Sequence, residues 1–245
     1  MIRNKRIIPV LLIEGEDLVK TVRFTTDKYL GDPINALKIF NDKYVDEIIV
    51  LDIESNKKDH AINFELLHEM AGECFMPICY GGGIKTIDDV KKIIQSGVER
   101  ICINTEAFLN PNLIKKIVQN FGSSTLVIGI DYKRDFFNKE YVYIQGGKKK
   151  LSMTPIEAAK YAEELGAGEI LIQSIVRDGV MNGYDLDLLK KILSSVTVPV
   201  IFCGGAGKAD DVKIVNEIGA SAAAGSLFVY KGKHKAKLIN YPIPR

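Results

Sequence analysis

Ile78-Cys79-Tyr80-Gly81-Gly82-Gly83 and Val200-Ile201-Phe202-Cys203-Gly204-Gly205 repeat one pattern, an apolar run that ends in glycines. They stand 122 residues apart, with a slip of about one residue. The same shift lays Pro33-Ile-Asn-Ala-Leu-Lys38 on Pro155-Ile-Glu-Ala-Ala-Lys160. It also lays Glu47-Ile-Ile-Val-Leu51 on Glu169-Ile-Leu-Ile-Gln173, and Gly97-Val-Glu-Arg100 on Gly219-Ala-Ser-Ala222. A period near half the length means two similar halves, not a solenoid of short units. Strands are expected near residues 6–13, 47–52, 77–81, 99–104, 125–131, 169–174, 199–203 and 221–226. Most are near-continuous Val, Ile and Leu, as strands buried on both faces should be. Amphipathic stretches separate them, such as Thr86 to Ser96 with Ile87, Val90, Ile93 and Ile94 on one face. Thr154-Pro155 reads as a helix cap followed by a first-turn proline. Eight strand–helix units in about 250 residues predict an α/β fold, the (β/α)8 barrel. A doubly wound open sheet is the competing architecture, but two equal halves favour closure, which leaves no edges. One domain is expected over residues 1–245, with half-barrels at roughly 1–122 and 123–245.

Composition agrees with an ordered globular chain. Of 245 residues, 47% are apolar and 26% charged, and the formal net charge is +2. That balance gives no reason to expect nucleic-acid or membrane binding. No apolar run approaches the ~20 residues of a membrane span. The basic start (Arg3, Lys5, Arg6) leads to an apolar stretch that ends at Glu14, without a leader pattern. Cys74, Cys79, Cys102 and Cys203 show no zinc spacing and read as reduced thiols of a cytoplasmic protein. His60, His68 and His234 are scattered, so neither a metal nor a cofactor is expected.

Chemistry is expected at strand ends. Gly81-Gly82-Gly83 and Gly204-Gly205-Ala206-Gly207-Lys208 leave backbone N–H groups free to approach phosphate. Each is partnered by a small polar strand end, Asn104-Thr105 or Gly225-Ser226. Two such cradles on opposite sides of one mouth suit a long ligand phosphorylated at both ends. Tight turns without a ligand are the alternative. Asp52, Asp131 and Asp178 lie at or after strand ends, where barrel enzymes place catalytic groups. Asp131 closes an apolar strand, and burial would suit it to general acid or base work. A loop cap, or pairing with Lys133 or Arg134, is the bland alternative. Asp131 to Lys150, with its glycines and lysines, reads either as a solvated β-hairpin or as a lid that holds an anionic substrate.

These residues resemble the HisF-like cyclase subunit of imidazole glycerol phosphate synthase over nearly the whole chain. The resemblance is carried by Leu51-Asp52-Ile53, Gly81-Gly82-Gly83-Ile84, Ile103-Asn104-Thr105 and Ile130-Asp131-Tyr132-Lys133-Arg134. It continues through Gly166-Ala167-Gly168-Glu169-Ile170, Arg177-Asp178-Gly179, Gly183-Tyr184-Asp185 and Gly204-Gly205-Ala206-Gly207-Lys208. It implies a barrel that takes ammonia from a glutaminase subunit and uses it to cleave and cyclise a bis-phosphorylated nucleotide. By match, Gly83, Asn104 and Thr105 would line one phosphate site. Asp178, Gly179, Gly205, Gly225 and Ser226 would line the other. Asp131 would be the general acid, and Lys20 matches another active-site residue. Arg6, Glu47, Arg100 and Glu169 match a charged ring that gates ammonia at the barrel floor. As two cations and two anions at strand starts, they would equally serve as a buried stabilising network. Glu99 matches an acidic residue of the glutaminase docking face.

Two departures bear on function. The resemblance calls for a second catalytic aspartate at the end of strand one, and the run here is Val10-Leu11-Leu12-Ile13, with Leu12 in its place. Leucine cannot carry a proton, and Glu14 lies about 6–7 Å further along an extended strand. The chain also ends Leu238-Ile-Asn-Tyr-Pro-Ile-Pro-Arg245 where a final helix is expected. Both features resemble a paralogous group that works with a glutaminase and a separate sugar amidotransferase. In that group the barrel conducts ammonia toward amidination of an acetamido sugar for surface polysaccharide. The runner-up expectation is a true cyclase of histidine biosynthesis, and the third a non-catalytic activator of the glutaminase.

Overall fold

A computed structural model describes residues 5–54, 61–137, 139–232 and 234–243, so His60 lies outside the described residues. Eight parallel strands close on themselves. They are β1 (Ile7–Glu14), β2 (Ile48–Asp52), β3 (Ile78–Gly81), β4 (Arg100–Ile103), β5 (Leu126–Arg134), β6 (Glu169–Ser174), β7 (Val200–Cys203) and β8 (Ser221–Ala224). Each pairs with the next, and β8 returns to β1 through Ile7↔Ala222, Ile8↔Ala223 and Pro9↔Ala224. The fold is the (β/α)8 barrel, not the open sheet.

Closure explains the uninterrupted apolar strands. Successive side chains alternate between two buried shells. Ile8, Val10, Leu12, Ile49, Leu51, Cys79, Cys102, Val127, Leu171, Ile201, Cys203 and Ala223 meet inside the barrel. Their neighbours, including Leu11, Val50, Tyr80, Ile128 and Phe202, pack beneath the surrounding helices. The helices begin where the chain supplies caps. Thr86 and Asp89 form a reciprocal capping box at the helix Ile87–Gln95. Thr154 and Glu157 do the same at Pro155–Glu164, where Pro155 opens the first turn.

Three connections depart from a plain strand–helix alternation. Between β1 and the helix Pro33–Asp42 lies an antiparallel hairpin of Asp17–Val22 and Thr25–Gly31. It pairs with β1 through Leu12↔Val19, Ile13↔Leu18 and Glu14↔Asp17. Leu18, Val19, Lys20 and Thr21 are all buried by it, so its polar residues do not mark solvent. The second departure follows β5, which runs on to Arg134 and turns back through Glu140–Ile144, with Asp131 opposite Tyr143. This segment is a β-hairpin, with Val142, Tyr143 and Ile144 buried rather than solvated. The third follows β8, where only the short helix Ser226–Val229 forms before a two-stranded hairpin of Tyr230–Lys231 and Ala236–Lys237. No helix of the described residues is long and apolar enough to cross a membrane.

Candidate functional site

The mouth of the barrel gathers the strand-end residues. Leu12 points inward with the lining side chains at the top of β1, where a carboxylate would have faced the cavity. Asp131 sits at the mouth, half-buried. Burial pushes its carboxyl up to about 7, and the charge of Asp178 adds to the shift. Neither suspected cation pairs with it. Lys133 Nζ lies 4.2 Å over the ring of Tyr143 and donates to Gly147 O at 3.4 Å. Arg134 is held by Glu140 at 2.9 Å and Asp185 at 3.0 Å. No cation among the described residues opposes that shift, so burial sets its direction.

Asp178 is differently placed. Its carboxylate accepts from Lys20 Nζ at 2.8 Å and from Thr21 Oγ1 at 2.9 Å, and more weakly from the Phe24 N–H at 3.4 Å. Lys20, 4% exposed, also donates to Thr21 O at 2.7 Å. The hairpin after β1 is what brings Lys20 across the mouth to β6. Asp52, by contrast, is turned away from the cavity. It accepts from Tyr80 Oη at 3.3 Å and from Glu54 N at 2.9 Å, and Leu51 takes the inward position.

The two glycine turns occupy corresponding places after β3 and β7. At Gly82 φ is +126°, and a Cβ would stand 2.5 Å from Asp52 O. At Gly205 φ is +119°, and a Cβ would stand 2.2 Å from Gly183 O. Only glycine lets either backbone lie so close. Around the first turn, Asn104 Nδ2 donates to Gly129 O at 3.0 Å and Thr105 Oγ1 accepts from Gln145 N at 3.0 Å. The tip of the β5 hairpin therefore rests on that cradle. Around the second, Asp178, Gly179, Gly204, Gly205, Gly225 and Ser226 line a small hollow. The Ser226 hydroxyl is buried there without a partner among the described residues. Such a group costs free energy until an acceptor or donor arrives.

At the opposite end, four side chains form a closed ring. Arg6 binds both Glu47 and Glu169 in very short contacts. Arg100 binds Glu47 at 2.9 Å and Glu169 at 2.6 Å. Both glutamates are 3% exposed, Arg100 15% and Arg6 26%, so the ring faces solvent through its cations. Burial raises the Glu47 carboxyl despite the two guanidiniums that oppose the shift. Above the ring the interior is apolar and thiol-lined. Burial lifts the Cys102 thiol to about 12, so it stays neutral.

A family model for the histidine biosynthesis proteins matches residues 6–235. The chain belongs to that family. Among its members, a Pseudomonas aeruginosa protein with the provisional name imidazole glycerol phosphate synthase subunit hisF2 is 50% identical over 241 residues, covering 98% of this chain and 96% of that one. A Leptospira interrogans protein provisionally named as the HisF subunit is 47% identical over 240 residues, covering 97% and 94%. The HisF subunit of Petrotoga mobilis is 42% identical over 235 residues, covering 96% and 93%.

Within this barrel, Glu99 is exposed on the floor side, and its Oε2 accepts from Ile78 N at 2.8 Å. Sequence reasoning missed Gln173, whose buried Oε1 finds no partner among the described residues and which lies in register with Asp131 across the β5–β6 ladder. A single polar residue two places after Leu171 in an apolar strand was its signal. It also missed Lys235, which reaches Gly179 O at 3.2 Å from the tail hairpin. No pattern in the sequence announces that contact.

Proposed function

We propose that this chain is the cyclase-like subunit of a glutamine-dependent amidotransferase. It receives ammonia from a glutaminase at the floor ring and conducts it through the barrel. The ammonia serves amidination of an acetamido sugar by a further partner, not cyclisation by the barrel itself. The observation that carries this reading is Leu12 facing the mouth where the cyclisation chemistry needs a second carboxylate. The floor ring supports the entry point, since its four groups stand at the starts of β1, β2, β4 and β6 around the barrel axis. Ammonia would cross as the neutral molecule, because an ammonium ion would lose its hydration among Ile8, Val127 and Leu171. The phosphate cradles retain a phosphorylated ligand under this reading, with Gly83, Asn104 and Thr105 at one and Gly179, Gly205, Gly225 and Ser226 at the other. Lys20 with Asp178 orders the mouth between them.

A second reading, a working cyclase, draws support from Asp131 with its pKa near 7 and from Asp178 close enough to couple to it. The conduit is tested by following nitrogen. Glutamine labelled with 15N in its amide is supplied to the complex of this chain, its glutaminase and the sugar-modifying partner, in unlabelled ammonium buffer. The expected result is label in the amidino group above the level of the bulk pool. Label equal to the bulk pool would overturn the conduit.

A further inference from the structure

The tail hairpin places a cation on the rim of the second cradle. Lys235 Nζ donates to Gly179 O at 3.2 Å, and Gly179 lines the hollow that also holds the unpartnered Ser226 hydroxyl. Ser226 is 5% exposed, so a partner for its hydroxyl must come from a ligand or water entering that hollow. The charges already in the cradle cancel, since Lys20 is spent on Asp178 at 2.8 Å. Lys235 is different. Among the described residues no carboxylate pairs with it, and its ammonium has three donors of which Gly179 takes one.

The hairpin is built to stay there. Leu238 N donates to Val229 O at 3.1 Å and Asn240 N to Phe228 O at 2.8 Å. Tyr241 stacks on Phe228 with ring centroids 5.3 Å apart. Lys237 lies 5.7 Å over the ring of Tyr29, which ties the hairpin to the one after β1. Gly232 and Lys235 adopt φ of +73° and +50°, which turns the chain back where a helix would have continued.

We infer that Lys235 is an anion-binding residue of the second cradle, supplying the uncancelled positive charge for a phosphate dianion held by the glycine turns and Ser226. The inference rests on the reading of that hollow as a phosphate site. It makes the tail a part of the ligand site and not a mere end of chain.

The test is a titration with inorganic phosphate, followed by the 15N amide shifts of Gly205, Gly225 and Ser226 in the full chain. Wild type is expected to show saturable shifts at these amides. Lys235→Ala is expected to weaken binding about fivefold, the loss of one charge-assisted contact, at an unchanged Tm. Lys235→Arg should restore it to within about twofold, and Lys231→Ala, which removes the same charge from the same hairpin, should leave it within about twofold. Ser226→Asp should abolish the shifts by repulsion. If Ser226→Asp abolishes them but Lys235→Ala binds as wild type does, the cradle stands and the role of Lys235 falls. A loss that arginine fails to restore also overturns it, since charge was then not the cause. Absence of saturable shifts in wild type removes the cradle reading and this inference together.

Discussion

Asp131 is the residue whose surroundings say most about chemistry. Its folded pKa of about 7 stands above the ordinary 3.8. Between those values the folded protein holds a proton that the unfolded chain has released. Its contribution to stability therefore falls as pH rises from about 4 to about 7. Asp131→Asn should match wild type in Tm at pH 4 and exceed it by about 10 °C at pH 8, by thermal scans, since a rise from 3.8 to about 7 is worth about 4 kcal/mol. A variant less stable than wild type at pH 8 would mean the carboxylate is stabilised in a way its neighbours do not supply. At this scale the sequence was partly legible. Asp131 and Leu12 could be placed at strand ends because strand alternation fixes which residues face in. Asp52 was placed at its strand end as well, and the same alternation, with Leu51 inward, turns its carboxylate outward to Tyr80. Gln173 was missed although its inward place follows from Leu171, and Lys235 because its reach to Gly179 is a tertiary fact.

Elements were most legible where local chemistry and burial agree. The capping boxes at Thr86 and Thr154 are spelled in the chain and form as spelled. Thr154→Ala should cost about 1 kcal/mol in urea unfolding, because it leaves the Glu157 N–H without its cap. The hairpin Asp17–Gly31 was illegible. Its first strand carries Asp17, Lys20 and Thr21, and the Lys20 charge is tolerated inside only because Asp178 waits across the mouth. The floor ring is an element of another kind, made from four strand starts. Removing one member leaves its partners' charges uncompensated in a partly buried place. Glu169→Ala should destabilise by about 3 kcal/mol, from the same urea measurement. Arg6→Ala should cost less, since Arg6 keeps a quarter of its side chain in water. Equal costs for both would mean the ring gains nothing from burial of its glutamates.

At the scale of the whole molecule, closure of the barrel decides what each end can do. The internal repeat set two glycine turns at one end, and the parallel strands set all starts at the other. The floor is charged and self-satisfied, the middle is apolar, and the mouth holds the half-buried Asp131 carboxyl, one lysine–aspartate pair and two glycine turns. Under the proposed function these parts would serve as an entrance, a passage and ligand seats, with Leu12 in the place of one of two acid–base partners. The direct test is to supply the bis-phosphorylated nucleotide with ammonium salt and follow imidazole glycerol phosphate. The account predicts no turnover from the wild-type chain, and appearance of product once Leu12→Asp restores the second carboxylate. Robust product formation by the unaltered chain would contradict it.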